Sequence, residues 1–238
     1  MIFRGEKIFY RSFVILIAVF FISCKKNRND SLYTVYNKGI SGNTVVDLLA
    51  RFNADVRSLS PDLLIVMIGT NDSYRSTIGD YKTNLDSLLK QSNRAGLNVL
   101  LLSPPPIGDG VNLYKERDSV LTLMAAYDKE LSLKYNCGFI DINKAFKESG
   151  SPSVYSNSFV RNSANSSELA PDGIHLTQDG NFFIAEKVLE YLTNPLVLKK
   201  GIVVCYGDSL TYGAFANGEG TATGFTYPGF LQQFLDKI

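Results

Sequence analysis

Ser209 stands in the string GDSLTYG, residues 207–213, between glycines that permit a tight turn. A serine hydroxyl is a poor nucleophile until a base takes its proton. His175, the single histidine of the chain, is the side chain whose unperturbed pKa suits that work near neutrality. Asp172 lies three residues before it in PDGIHLT, where on one helical turn its carboxylate can orient the imidazole and stabilise its charged form. Negative charge developing on a carbonyl oxygen needs fixed donors. Three are candidates for such an oxyanion hole: the backbone N–H of Ser209, the backbone N–H of Gly42 in GISGNT, and the side-chain amide of Asn71 in GTND. These types together suit acyl transfer, in which the serine attacks an ester carbonyl, an acyl-serine forms, and water activated by the histidine releases the acid. The chemistry requires no cofactor, and no metal-ligand spacing occurs in the chain.

Residues so far apart in sequence need a scaffold that gathers them. From residue 32 onward apolar runs alternate with amphipathic stretches, the pattern of a parallel sheet covered by helices on both faces. LYTVYN, PDLLIVMIG, NVLLLS, GFIDI and GIVVCYGDS read as five strands, PDLLIVMIG most clearly, as a continuous buried run behind Pro61. Between them the spacing predicts helices over 43–60 with Asn43 or Thr44 as cap, around Tyr81–Gln91, over about Leu113–Leu133, and over TQDGNFFIAEKVLEYLTN. A last helix lies in YPGFLQQFLDKI, with Phe230, Leu231, Phe234, Leu235 and Ile238 on its apolar side. From Asn143 to Asp172 the chain is polar and lacks a period apart from a short KAFK turn, and so long a stretch points to a functional loop. GDSL, ISGNT and GTND follow strands, and DGIHLT opens a helix. In an open α/β sheet the crevice beyond the carboxyl ends of the strands is where ligands bind, so the four motifs are expected to meet there.

The four motifs resemble the blocks of the SGNH hydrolases, also called GDSL esterases/lipases. GDSLTYG resembles the first, with Ser209 as nucleophile; GISGNT the second, with Gly42; GTND the third, with Asn71; and PDGIHLT the fifth, with Asp172 and His175. The resemblance implies a three-layer α/β/α sandwich with a five-stranded, mostly parallel, flavodoxin-like sheet. It departs from the family in order, because the serine block comes last. Reading FLQQFLDKI straight into SLYTVYNKGISGNT restores the family order, so the chain resembles a circular permutant of an SGNH-type domain spanning 32–238, its first block at 201–238. The connector Asn194–Gly201 can span roughly 26 to 29 Å when extended, enough to return the chain across the sheet.

The first residues are of another kind. MIFRGEKIFYR is basic, and FVILIAVFFIS is an apolar run too short to span a bilayer, ending just before Cys24. With KKNRND behind it, this resembles a bacterial lipoprotein signal: 1–23 a signal peptide, Cys24 the lipidated residue, and 24–31 a tether. An uncleaved anchor and a plain secreted protein are the alternatives. All three place the domain outside the cytoplasm, in the periplasm or at the cell surface, and a lipid anchor makes the membrane a partner. The 24 Lys and Arg against 23 Asp and Glu give a net charge of +1. So balanced a chain carries no basic footprint for nucleic acid. Cys137 and Cys205 lie in or beside strand-like segments and read as buried thiols, although pairing is open in an oxidising compartment.

The expected activity is that of a serine ester hydrolase acting on a small acyl ester, such as an acetylated carbohydrate, a lysophospholipid or a similar molecule. Two alternatives use the same sequence: an acyltransferase with the same catalytic residues, and a non-catalytic surface-binding lipoprotein. The segment Asn143–Pro171 and the loop Ala214–Thr226 are expected to shape the pocket. Asp72 reads as a helix cap, Gly39 as a turn residue, and Tyr33, Tyr36, Tyr74, Tyr155, Tyr206 and Tyr212 as core or rim without a catalytic role.

Overall fold

Strand β2 (Leu63–Met67) is buried along its whole length and sends Leu63, Ile65 and Met67 to one side and Leu64 and Val66 to the other. Both faces of a strand must therefore be covered, which is the condition for a parallel α/β sheet. The structure, a computed structural model, describes residues 32–166, 171–193 and 200–238. The expected signal peptide, Cys24, the tether and most of the connector 194–201 lie outside the described residues.

The remaining strands are β1 (Tyr33–Gly39), β3 (Val99–Leu102), β4 (Gly138–Ile140) and β5 (Gly201–Gly207), in the order β1-β5-β2-β3-β4 with every pairing parallel. The last strand of the chain thus sits inside the sheet, with Cys205 opposite Asn37 on one side and Ile65 on the other. Counted from β5, this is the 2-1-3-4-5 order of flavodoxin-like sheets. Helices α1 (Val45–Asp55), α3 (Ile78–Arg94) and α4 (Lys115–Tyr135) cover one face with Leu48, Phe52, Leu85, Leu88, Leu121 and Met124. Helices α5 (Ile142–Glu148), α6 (Gln178–Thr193) and α8 (Tyr227–Leu235) cover the other with Phe146, Ile184, Val188, Leu231 and Leu235. Two single-turn helices, α2 (Asp72–Arg75) and α7 (Ser209–Tyr212), stand at the carboxyl ends of β2 and β5.

Local chemistry explains the helix starts. Asp47 accepts from the N–H and hydroxyl of Thr44, which caps α1, while Thr77 and Thr226 cap α3 and α8 by accepting from Asp80 and Gly229. The outer edge of β1 is closed by a side chain. Gln232 of α8 accepts from the Val35 N–H at 2.7 Å and donates to the Tyr33 carbonyl at 3.1 Å, filling part of the ladder that a further strand would take.

Four sequence expectations are corrected. The short KAFK turn is longer than expected, the seven-residue helix α5, because Asp141 caps it by accepting from the Lys144 amide. Helix α4 begins at Lys115, two residues late, because Tyr114 has left-handed backbone. Helix α6 begins at Gln178, so DGIHLT is a turn preceding the helix. Ile238 is 62% exposed, past the end of α8.

Candidate active site

At the end of β5 the chain turns through Gly207 and Asp208 into α7. The Asp208 carboxylate caps this single turn by accepting from the Leu210 N–H at 2.9 Å, and Ser209 is the first helical residue, 7% exposed. The turn needs small residues. A Cβ on Gly207 would fall 2.2 Å from the Met67 carbonyl oxygen, and one on Gly39 would fall 2.1 Å from the Tyr212 nitrogen. Gly39 is therefore required for close backbone approach rather than for a turn. Arg51, which the sequence reading passed over, ties the region together. Its guanidinium donates to the carbonyls of Lys38 and Gly207 and to Asn43 Oδ1, pairs with Asp55 at 2.7 Å, and lies over the Tyr206 ring.

Asp172 and His175 come from the other face. Asp172 Oδ1 accepts from the amides of Ile174 and His175 at 2.8 and 2.9 Å, closing an Asx-type turn with Gly173 at φ +67°, and Oδ2 meets His175 Nδ1 at 2.7 Å. His175 Nε2 lies 3.0 Å from Ser209 Oγ. The three side chains thus form one continuous chain of hydrogen bonds. The polar segment holds this loop in place. The Arg161 N–H donates to the His175 carbonyl, Thr177 N–H to Phe159, and Gly173 N–H to Arg161, with a bridge between Val160 and Leu176.

The expected oxyanion donors are not all alike. Asn71 Nδ2 donates to the Asn43 carbonyl at 3.0 Å and reaches Asp208 Oδ2 at 3.5 Å, so one amide hydrogen is well bound and the other only loosely. Gly42 has φ +83°, and its carbonyl accepts from Arg75 Nη1 at 2.6 Å. A cavity of about 310 Å³ is lined by Thr70, Asn71, Tyr74, Arg75, Tyr114, Ile174, His175 and Ser209. Gly42 is not among its lining residues. A second cavity of about 490 Å³, lined by Lys115, Asp118, Lys147 and Pro152 among others, has no serine–histidine pair.

Electrostatics divide the carboxylates. Burial works to raise Asp172, but bonds from the His175 ring and from the amides of His175 and Ile174 together outweigh it and hold the group below its ordinary value, as a charged partner for an imidazolium. Burial pushes Asp208 up to about 7 and Asp72 up to about 6, against the amide bonds from Leu210 and Val45. Asp72 caps nothing of its own helix. Its Oδ1 instead accepts from Val45 N–H and joins α2 to α1. Cys137 and Cys205 are free thiols. Cys137 immediately precedes β4 and Cys205 lies in β5, with β2 and β3 between them, about 14 Å of sheet and too far for a disulfide.

Phe215, in the loop after α7, stands edge-on to the His175 ring at 5.0 Å with Arg161 over its own ring at 4.9 Å, on left-handed backbone at φ +68°. Nothing in the sequence marks it, since its neighbours come from 40 and 54 residues upstream. Tyr74 and Tyr114 also line the cavity. The place of Tyr74 could have been suspected from position alone, since it lies three residues past Asn71, whereas no sequence signal marks Tyr114.

Comparison with known proteins fits this architecture. The GDSL-like Lipase/Acylhydrolase family matches residues 25–181. The acetylxylan esterase of Geobacillus stearothermophilus is 30% identical over 169 residues, 65% of this chain and 70% of that protein. An uncharacterized lipoprotein of Bacillus subtilis (strain 168), YqeF, is 32% identical over 83 residues, 32% of this chain and 34% of that protein. Among solved structures, the acetyl xylan esterase AlAXEase superposes with a TM-score of 0.53 at 26% identity, over 65% of this chain and 78% of that one. Axe2, the Geobacillus enzyme, gives 0.53 at 26% over 68% and 74%, and its structures include catalytic mutants with a histidine, an aspartate or a serine replaced by alanine. With a family match that runs through the Gly42, Asn71 and Asp172–His175 motifs, the chain belongs to the GDSL-like lipase/acylhydrolase family, the SGNH hydrolases, and is a carboxylic ester hydrolase.

Proposed function

We propose that the chain hydrolyses acetyl esters of carbohydrate through an acyl-serine on Ser209. The observation that carries this reading is the relay Asp172 Oδ2 to His175 Nδ1 at 2.7 Å and His175 Nε2 to Ser209 Oγ at 3.0 Å. Both distances are of hydrogen-bonding length for a nucleophile, its base and the group that orients the base. His175 takes the proton as Ser209 attacks the ester carbonyl, returns it to the departing sugar oxygen, and then activates the water that releases acetate. Asp172 stabilises the imidazolium. The oxyanion is met by the Ser209 amide and by the loosely held hydrogen of Asn71, each donor contributing roughly 3 to 4 kcal/mol in well-studied cases. The choice of acetylated carbohydrate is supported by similarity to acetylxylan esterases in sequence and in structure.

Ser209→Ala and His175→Ala are each expected to reduce hydrolysis of p-nitrophenyl acetate by a factor on the order of 10⁶ while the folded circular-dichroism spectrum persists. A fluorophosphonate probe is expected to label the wild type at Ser209 and neither variant. Full turnover in either variant contradicts the proposal.

The same reading has the chain tethered outside the cytoplasm through lipid on Cys24, supported by the apolar run before that cysteine and by similarity to a lipoprotein. Replacing Cys24 with Ala is expected to move the protein from the membrane fraction to the soluble one. The domain reads as a circular permutant, supported by β5 lying between β1 and β2.

A further inference from the structure

We infer that Tyr74 and Tyr114 form the platform that receives the sugar ring of the ester, a reading that deepens the acetyl-carbohydrate proposal and rests on it. Both line the cavity that holds Ser209 and His175. Their rings meet edge to face, with centroids 6.3 Å apart and planes at 89°, making an aromatic corner. Each ring is held in place before any ligand arrives. Arg117 lies over Tyr74 at 5.0 Å and donates to the Ser73 carbonyl. Tyr114 is fixed by left-handed backbone at φ +59°, which a non-glycine residue keeps only where its surroundings enforce it. The enforcement comes from Asp109, whose Oδ1 accepts the amides of Val111, Asn112 and Leu113 at 2.8 to 3.0 Å. It comes also from the Gly108 N–H, which donates to the Gly173 carbonyl at 2.6 Å and joins the tyrosine's loop to the one carrying Asp172 and His175.

A sugar ring has a face of C–H groups and a rim of hydroxyls. The face suits an aromatic ring, and the rim needs donors and acceptors. Arg75 supplies guanidinium N–H groups at the cavity wall. Thr70, only 3% exposed, lines the same cavity, and its buried hydroxyl has no hydrogen-bond partner among the described residues. The volume, about 310 Å³, lies at the small end for ligand sites. It suits one ring with its acetyl group better than a long acyl chain.

The test compares an acetylated xylo-oligosaccharide with vinyl acetate, which carries the acetyl group without the ring. Tyr74 is 41% exposed, so its replacement does not empty the core. Tyr74→Ala is expected to lower the ratio of kcat/KM on the oligosaccharide to that on vinyl acetate about tenfold, equivalent to about 1.4 kcal/mol, and Tyr74→Phe to restore it. An unchanged ratio overturns the inference. Calorimetric titration of Ser209→Ala with the same oligosaccharide, with and without Tyr74→Ala, reads binding without turnover, and equal affinities overturn it as well. A wild type that cleaves vinyl acetate but neither cleaves nor, as Ser209→Ala, binds the sugar ester removes the platform and leaves the serine esterase. A wild type inert to every acetate and unlabelled by fluorophosphonate removes the esterase, while the titration still judges the platform.

Discussion

Asp172 is bonded on both carboxylate oxygens, so it does two jobs: it shapes the turn that presents His175, and it selects the tautomer with Nε2 free to accept from Ser209. Asn at this position keeps an oxygen for the amides but can present an N–H where the carboxylate accepted one. Asp172→Asn is therefore expected to lower kcat less than Ser209→Ala does. In a well-studied serine hydrolase the corresponding losses are roughly 3 × 10⁴ and 2 × 10⁶. Paired progress curves on p-nitrophenyl acetate measure the difference. Phe215 gives the opposite kind of case, a residue kept at φ +68° although such backbone costs roughly 1–3 kcal/mol. Phe215→Gly relieves that strain and removes the ring beside His175. The thermal midpoint is expected to hold or rise while kcat/KM falls, and loss of stability with retained activity contradicts the assignment.

At the scale of elements, β5 and α7 meet in a closely packed junction. Gly207→Ala puts a methyl group 2.2 Å from both the Met67 carbonyl and Thr211 Oγ1, so the end of β5 must separate from β2. A loss of more than about 2 kcal/mol is expected in urea denaturation, as for overpacked cores, together with loss of activity because Ser209 follows two residues later. Gln232 closes the free edge of β1. Gln232→Leu leaves the Val35 amide and the Tyr33 carbonyl without these partners. Light scattering is expected to report more self-association than in the wild type, since an open edge invites pairing with another chain.

Over the whole molecule, three buried acids make stability depend on pH: Asp72, Asp208 and Asp128, the last pushed well above its ordinary value by burial. Asp72 and Asp208 are raised to about 6 and about 7 from an ordinary 3.8, so between pH 4 and 7 the folded state keeps protons that the unfolded chain has released. Stability then falls as pH rises through that window. The lowered Asp172 acts with the opposite sign, but only below its ordinary value, where folding loses that contribution as pH falls. The thermal midpoint is expected to be higher at pH 5 than at pH 8, with a smaller difference in Asp208→Asn. The order of the sheet supplies another expectation. The family match ends at residue 181, yet β5 pairs with both β1 and β2. A chain ending at Thr193 is therefore expected to show no cooperative unfolding transition, because removing an interior strand leaves β1 detached from β2.

The sequence by itself determined the five strands and the chemical set of Ser209, His175 and Asp172, because buried strands leave unbroken apolar runs and a lone histidine leaves few partners for a serine. The order of its motifs, set beside the family's, also led to the expectation that the serine block belongs before β1 in a circularly permuted chain. Gly39, Arg51, Phe215 and Tyr114 were not legible as site residues. Their roles come from contacts between segments far apart in the chain, to which local periodicity is blind. The turn at Asp172–His175 was misread as helix for a related reason: an i to i+3 spacing is shared by a helical turn and an Asx turn, and only packing against Phe159–Arg161 decided between them.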